Sequence, residues 1–90
     1  MKLLWTDTAW QQYLHWPNVD SKILLRINEL LKEAQRDPFK GTGRPEPLRH
    51  QLKGWWSRRI TEEHRLVYRV TGKGEEQVLE IVSCRFHYGD

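Results

Sequence analysis

A single cysteine in 90 residues closes off two routes to stability at once. Cys84 has no partner for an internal disulfide, and a zinc site would have to be assembled from other ligands. The histidines do not supply them. His50, His64 and His87, taken with Glu46, show none of the spacings that hold metals, such as a His pair one helical turn apart, so no metal and no other cofactor is expected. No apolar run approaches the length of a membrane span and no stretch resembles a signal peptide, so a cytoplasmic protein without a membrane partner is expected. Repeats, linkers and low-complexity segments are absent too, which leaves residues 1–90 as one small domain with a limited core. Lys40, Gly41, Gly43 and Arg44 lack the Lys-Ser/Thr ending of a nucleotide-binding loop, and no helix signal follows them. A flexible basic approach of Arg44 to a backbone phosphate is the better reading.

What the chain has is basic charge gathered in one place. Residues 1–39 carry five basic and five acidic side chains, residues 40–69 carry eight and three, and residues 70–90 carry two and four. A net +5 therefore sits in the middle of a chain whose total is +3. Such a footprint suits a polyanion, nucleic acid first. At its centre, residues 54–70, two runs rich in β-branched and aromatic residues flank Thr61-Glu62-Glu63-His64, which is a hairpin signal. Alternation puts Trp56 and Ile60 with Leu66, Tyr68 and Val70 on the core face, and Ser57, Arg59, Arg65, Val67 and Arg69 on the other. Arg59 and Arg65 share a face only if the connection holds an odd number of residues or a bulge. This register sends Arg58 to the core side, where its head is expected to snorkel past a sheet edge.

The other elements read as support for that hairpin. Met1 to Trp5 predicts a buried strand. Thr6 or Asp7 caps a helix with Trp10, Tyr13 and Leu14 at apolar spacing, closed by Pro17. Asp20 caps a longer helix whose stripe is Ile23, Leu24, Ile27, Leu30, Leu31 and Ala34, and Asp37-Pro38 stops it. Prolines and glycines make Pro38 to His50 a loop of the length usually kept for function. After a turn at Gly72-Lys73-Gly74, Gln77 to Cys84 predicts a third strand of the main sheet, extended by Arg85 to Tyr88, with Cys84 as inert core. Its consecutive apolar residues leave its register open. The order predicts an α+β fold, a small antiparallel sheet with both N-terminal helices on one face.

Two readings of the basic region stay open on residues alone. Glu46, stiffened between Pro45 and Pro47 and set among Arg44, Arg49 and His50, is either a surface salt-bridge partner or a general base held in place. Arg59 and Arg65 either bridge to Glu62, Glu63 or Glu80, or bind phosphate, for which a guanidinium fork is suited and a lysine is not. His87-Tyr88 is either an ordinary strand end or a proton donor beside a stacking surface. A carboxylate, arginines, a histidine and aromatics are the parts that metal-free RNA cleavage needs.

The chain resembles the YoeB (Txe) group of the RelE superfamily of toxin–antitoxin ribonucleases over nearly its whole length. The likeness is densest at Ile27-Asn28-Glu29-Leu30, Pro45-Glu46-Pro47-Leu48, residues 56–68 and Cys84-Arg85-Phe86-His87-Tyr88. The turn from Gly72 to Gln77 looks longer than usual, and Gly89-Asp90 extends past the position at which members often end. The resemblance implies a microbial-ribonuclease-like fold that cleaves mRNA in the ribosomal A site without a metal, leaving a 2′,3′-cyclic or 3′-phosphate end. By this resemblance Glu46 is the general base, His87 the general acid, Arg65 the phosphate stabiliser, and Tyr88 orients or stacks the substrate. Arg59 and His50 line the same site, and Arg49 and Lys53 contact mRNA or ribosomal RNA. The implied inhibitor is a YefM-like antitoxin with an acidic, partly disordered segment. Operator DNA would be bound only through the toxin–antitoxin complex, and homodimerisation is known in the family. The rivals are a non-catalytic RNA- or DNA-binding module and an inactive antitoxin partner of the same fold.

Overall fold

The computed structural model describes residues 1–86. His87 and Tyr88, with the expected strand extension that ends on them, lie outside the described residues. Strand β1 (Lys2–Trp5) leads into helix α1 (Asp7–His15), a single 3-10 turn at Trp16–Asn18 and helix α2 (Ser21–Arg36). The strands β2 (Glu46–Pro47), β3 (Trp56–Arg59), β4 (Arg65–Thr71) and β5 (Val78–Ser83) follow. In space the sheet runs β1-β5-β4-β3-β2. Neighbours pair antiparallel except β1, which joins β5 in parallel, so the α+β sheet is mixed. The long chain between β1 and β5, helices included, provides the crossover that parallel neighbours require.

Both helices start where their caps predict. Thr6 Oγ1 accepts from the Ala9 amide, and Asp20 Oδ1 accepts from the Lys22 and Ile23 amides. On α2, Ile27, Leu30, Leu31 and Ala34 are buried, with Ile23 and Leu24 packed beside them. They meet Leu66, Tyr68, Leu79 and Ile81 from the sheet and Ile60 just past β3. Fully burying one such side chain contributes roughly 1.5–3 kcal/mol. On α1 the inner face is rotated from the expected one: Trp10 and Leu14 are exposed, while Ala9 is buried. The cause is polar. Gln12 Oε1 accepts from the Cys84 amide at 2.8 Å and Ser83 Oγ at 3.1 Å, so a glutamine occupies the inward position and holds the end of β5. Cys84 itself is buried, and burial pushes its thiol up to about 12.

The register of β5 is blurred in sequence because the strand bulges. Val67 faces Ser83 but Tyr68 faces Ile81, which leaves Val82 as the extra residue. The strand stops at Ser83, and by Phe86 the backbone has turned left-handed, with φ at +63°. The expected run of strand through Arg85 and Phe86 does not form. The loop from Pro38 to His50 likewise departs from expectation by carrying β2, a two-residue edge strand that can include Pro47 because only edges tolerate the lost donor.

Arg58 does not snorkel. Its residue is fully buried, and every arm of the guanidinium is met inside the protein. Nε donates to Tyr68 Oη at 2.9 Å, Nη1 to the Thr42 carbonyl at 2.8 Å, and Nη2 to the Asp37 and Lys40 carbonyls at 2.5 and 2.8 Å. Tyr68 in turn donates to the Pro38 carbonyl at 2.6 Å, and burial raises its phenol above its ordinary value. Loop carbonyls thus replace the water that a buried cation would otherwise need. The result is a loop wound around one side chain and pinned just ahead of Glu46.

Candidate functional site

The hairpin register predicted from alternation forms, with residues 60–64 as its odd-numbered connection. Trp56 faces Tyr68 and Arg58 faces Leu66 on the core side. On the other face Arg59 lies directly opposite Arg65, and Ser57 separates Val67 from Glu46 of β2. Like charges directly opposite are destabilising unless something compensates. The compensation here is Glu46, whose Oε1 is 3.7 Å from Arg65 Nη1. Two guanidinium groups against one carboxylate leave the cluster with an excess positive charge, which suits an anion.

The burial of these groups is uneven. The Glu46 side chain is 60% exposed and that of Arg65 only 21%. The carboxylate is reachable from solvent, while the arginine is anchored. The Nε–H groups of both Arg59 and Arg65 are buried and find no hydrogen-bond partner among the described residues. An unmet buried donor typically costs ~1–3 kcal/mol, so a pair of them on one surface is held at a loss unless an acceptor arrives. A phosphate oxygen is such an acceptor.

Backbone contacts fix the cluster. The Arg59 amide donates to the Gly43 carbonyl at 2.7 Å, and Arg26 Nη2 of α2 donates to the Arg59 carbonyl at 3.3 Å. Gly43 has φ at +89°, and an added Cβ would lie 2.7 Å from Leu30 Cδ2. The glycines of this loop therefore serve close packing rather than phosphate cradling. The third arginine of the face leaves the site: Arg69 Nε donates to Glu80 at 2.8 Å, and its guanidinium lies over Trp55 at 4.5 Å.

The remaining candidates flank Glu46 along the chain. Arg44 precedes it with a left-handed backbone, and Arg49, His50 and Lys53 follow, all exposed, around the 3-10 turn at His50–Leu52. No ion pair or side-chain hydrogen bond among the described residues ties these four to Glu46 or Arg65. They form a basic rim, not part of the central cluster.

One residue that the sequence reading weighed only as a metal ligand is built into the site's border. His64 Nδ1 accepts from the Phe86 amide at 2.7 Å, and the Arg65 amide donates to the Phe86 carbonyl at 2.8 Å. The His64 ring meets Trp16 edge-on at 4.8 Å. Nothing in sequence spacing signals this link, because Phe86 is far from His64 in the chain and both hydrogen bonds use its backbone.

With this geometry in place, the comparisons with known proteins agree among themselves. The sequence profile of the YoeB-like toxin of bacterial type II toxin–antitoxin systems matches residues 5–88. Toxin YoeB of Escherichia coli (strain K12) is 54% identical over 88 residues, spanning 98% of this chain and 100% of that protein. A YoeB/ParE toxin from Agrobacterium tumefaciens superposes with a TM-score of 0.93 at 52% identity, covering 98% of this chain and 100% of the other. A chain from the heterotetrameric YoeB–YefM toxin–antitoxin complex of Staphylococcus aureus superposes with a TM-score of 0.85 at 38% identity, covering 98% of each chain.

Proposed function

This chain belongs to the YoeB-like toxins of bacterial type II toxin–antitoxin systems, and from that premise we propose that it is a ribosome-dependent mRNA endoribonuclease that cuts in the A site and so inhibits translation. The observation that carries the reading is the Glu46–Arg65 pair at 3.7 Å, opposite Arg59, with both arginine Nε groups unmet among the described residues. Glu46 takes the proton from a 2′-hydroxyl, and the freed oxygen attacks the adjacent phosphorus. Arg65 and Arg59 hold the charge that builds on the phosphorane oxygens. His87 gives a proton to the departing 5′-oxygen, leaving a 2′,3′-cyclic phosphate that water can open to a 3′-phosphate. Tyr88 orients or stacks the substrate base. Positive charge comes from side chains throughout, so the chemistry calls for no metal.

Arg44, Arg49, His50 and Lys53 hold mRNA or ribosomal RNA around the cut, and the ribosome restricts cutting by presenting the message in a reactive conformation. A YefM-like antitoxin is the inhibitor, and operator DNA is bound only through the complex. Ribosomes place the reaction in the cytoplasm. Primer extension on a defined mRNA, with and without programmed ribosomes, tests the proposal, with Glu46→Ala alongside. Cuts within the A-site codon that need the ribosome and vanish in the variant are expected. Uncut mRNA in every lane, with ribosome binding intact, would favour a binding module that uses the same arginines.

A further inference from the structure

Phe86 is held at both of its backbone polar groups by consecutive residues of the hairpin. Its amide donates to His64 Nδ1 at 2.7 Å, and its carbonyl accepts from the Arg65 amide at 2.8 Å. Its φ of +63° is one that side chains other than glycine rarely adopt, so these bonds maintain a conformation the chain would not otherwise keep. The carbonyl held by Arg65 is half of the peptide bond to His87. The strained backbone therefore lies at the residue bonded to His87.

The partner chosen for the amide is unusual. Backbone donors are mostly met by backbone acceptors, yet this one is met by a ring nitrogen. That ring is itself fixed, edge-on to buried Trp16 at 4.8 Å and against the Phe86 ring at 5.9 Å. Trp16 is anchored through its Nε1–H to the Cys84 carbonyl at 3.1 Å. His64, Trp16 and residues 84–86 thus form a closed loop of contacts next to Arg65. For Nδ1 to accept, the neutral ring must carry its proton on Nε2.

From this we infer that His64 is a positioning residue: its Nδ1 fixes the backbone of Phe86 against Arg65, at the residue covalently joined to His87. The inference rests on the nuclease reading above, in which His87 is the general acid. This scheme gives His64 no proton-transfer or charge-stabilising step. Its effect is geometric, and misplacement by about 1 Å is enough to lower a rate by ~10²-fold.

Two substitutions separate this role from plain packing. His64→Leu keeps an apolar contact with Trp16 and removes the acceptor, whereas His64→Asn places Oδ1 where Nδ1 was. Hydrogen exchange at the Phe86 amide reads the clamp without any activity, and single-turnover cleavage on programmed ribosomes reads its consequence. In His64→Leu, Phe86 protection should be lost and the cleavage rate should fall by about 10²-fold with ribosome affinity unchanged. His64→Asn should restore most of both. In a His87→Ala background His64→Leu should cost little more, since the residue it positions is gone. Equal Phe86 exchange in wild type and His64→Leu, or an undiminished His64→Leu effect in the His87→Ala background, would overturn the inference. Wild-type protein that protects Phe86 yet cuts nothing would overturn the nuclease reading while supporting the clamp.

Discussion

Arg58 and Arg65 face each other's strands across one hairpin, yet they live under opposite rules. Arg58 points into the core with four internal acceptors, all neutral oxygens, and is fully buried. Arg65, with Arg59 opposite, points the other way and, among the described residues, meets one carboxylate at 3.7 Å and keeps an unmet Nε–H. A buried guanidinium met at every nitrogen has little left to offer a ligand, and its charge is dissolved in loop carbonyls. An unsaturated one is a binding group held in reserve. Saturation, more than exposure or residue type, separates the arginine that folds the protein from those proposed to act.

The largest expected break in that contrast comes from the acting side. Glu46→Gln should slow cleavage by ~10²–10⁴-fold, and Arg65→Ala by at least ~10²-fold, in single-turnover assays on programmed ribosomes. Chemical denaturation should meanwhile find Arg65→Ala as stable as wild type or slightly more so, because an opposed pair of like charges is relieved. On the folding side, Arg58→Met should lower unfolding free energy by roughly 2–4 kcal/mol, since it strands the Tyr68 hydroxyl and the carbonyls of residues 37, 40 and 42. Gly43→Ala should cost roughly 1–3 kcal/mol, through its φ of +89° and the approach to Leu30, and a thermal melt reads it. Smallest should be Arg69→Ala. Its bridge to Glu80 is 43% exposed on the arginine side, so denaturation should detect less than ~1 kcal/mol and cleavage should stay near wild type.

Much of this was readable from residue order. The hairpin register followed from alternation, because a one-residue slip would have turned Leu66 and Tyr68 outward. The α2 stripe followed from period, and both N-caps from residue type. Glu46 and the arginine pair were singled out by charge and stiffness before any geometry existed. The failures have a common physical source. Arg58 was expected to reach solvent because its real partners are backbone carbonyls, which every residue has and no letter of the sequence advertises. Residues Trp10 and Leu14 were placed inward because period counts apolar residues, and it cannot see Gln12 used as an inward anchor for Ser83 and Cys84. At the left-handed Phe86 the amide is met by a ring nitrogen that His64 lends across the fold. Parallel pairing of β1 with β5 is set by which edge remains available, a property of the whole sheet.

The most direct test exchanges each arginine for lysine, which keeps the charge and removes the fork. Arg58→Lys and Arg65→Lys would be compared by denaturant unfolding and by cleavage on programmed ribosomes. Arg58→Lys should unfold at clearly lower denaturant, because one ammonium cannot replace a fork that reaches Tyr68 and three separate carbonyls. Arg65→Lys should unfold like wild type and cleave well below it. If instead Arg65→Lys loses as much stability as Arg58→Lys, or cleaves at the wild-type rate, saturation does not divide these arginines by role.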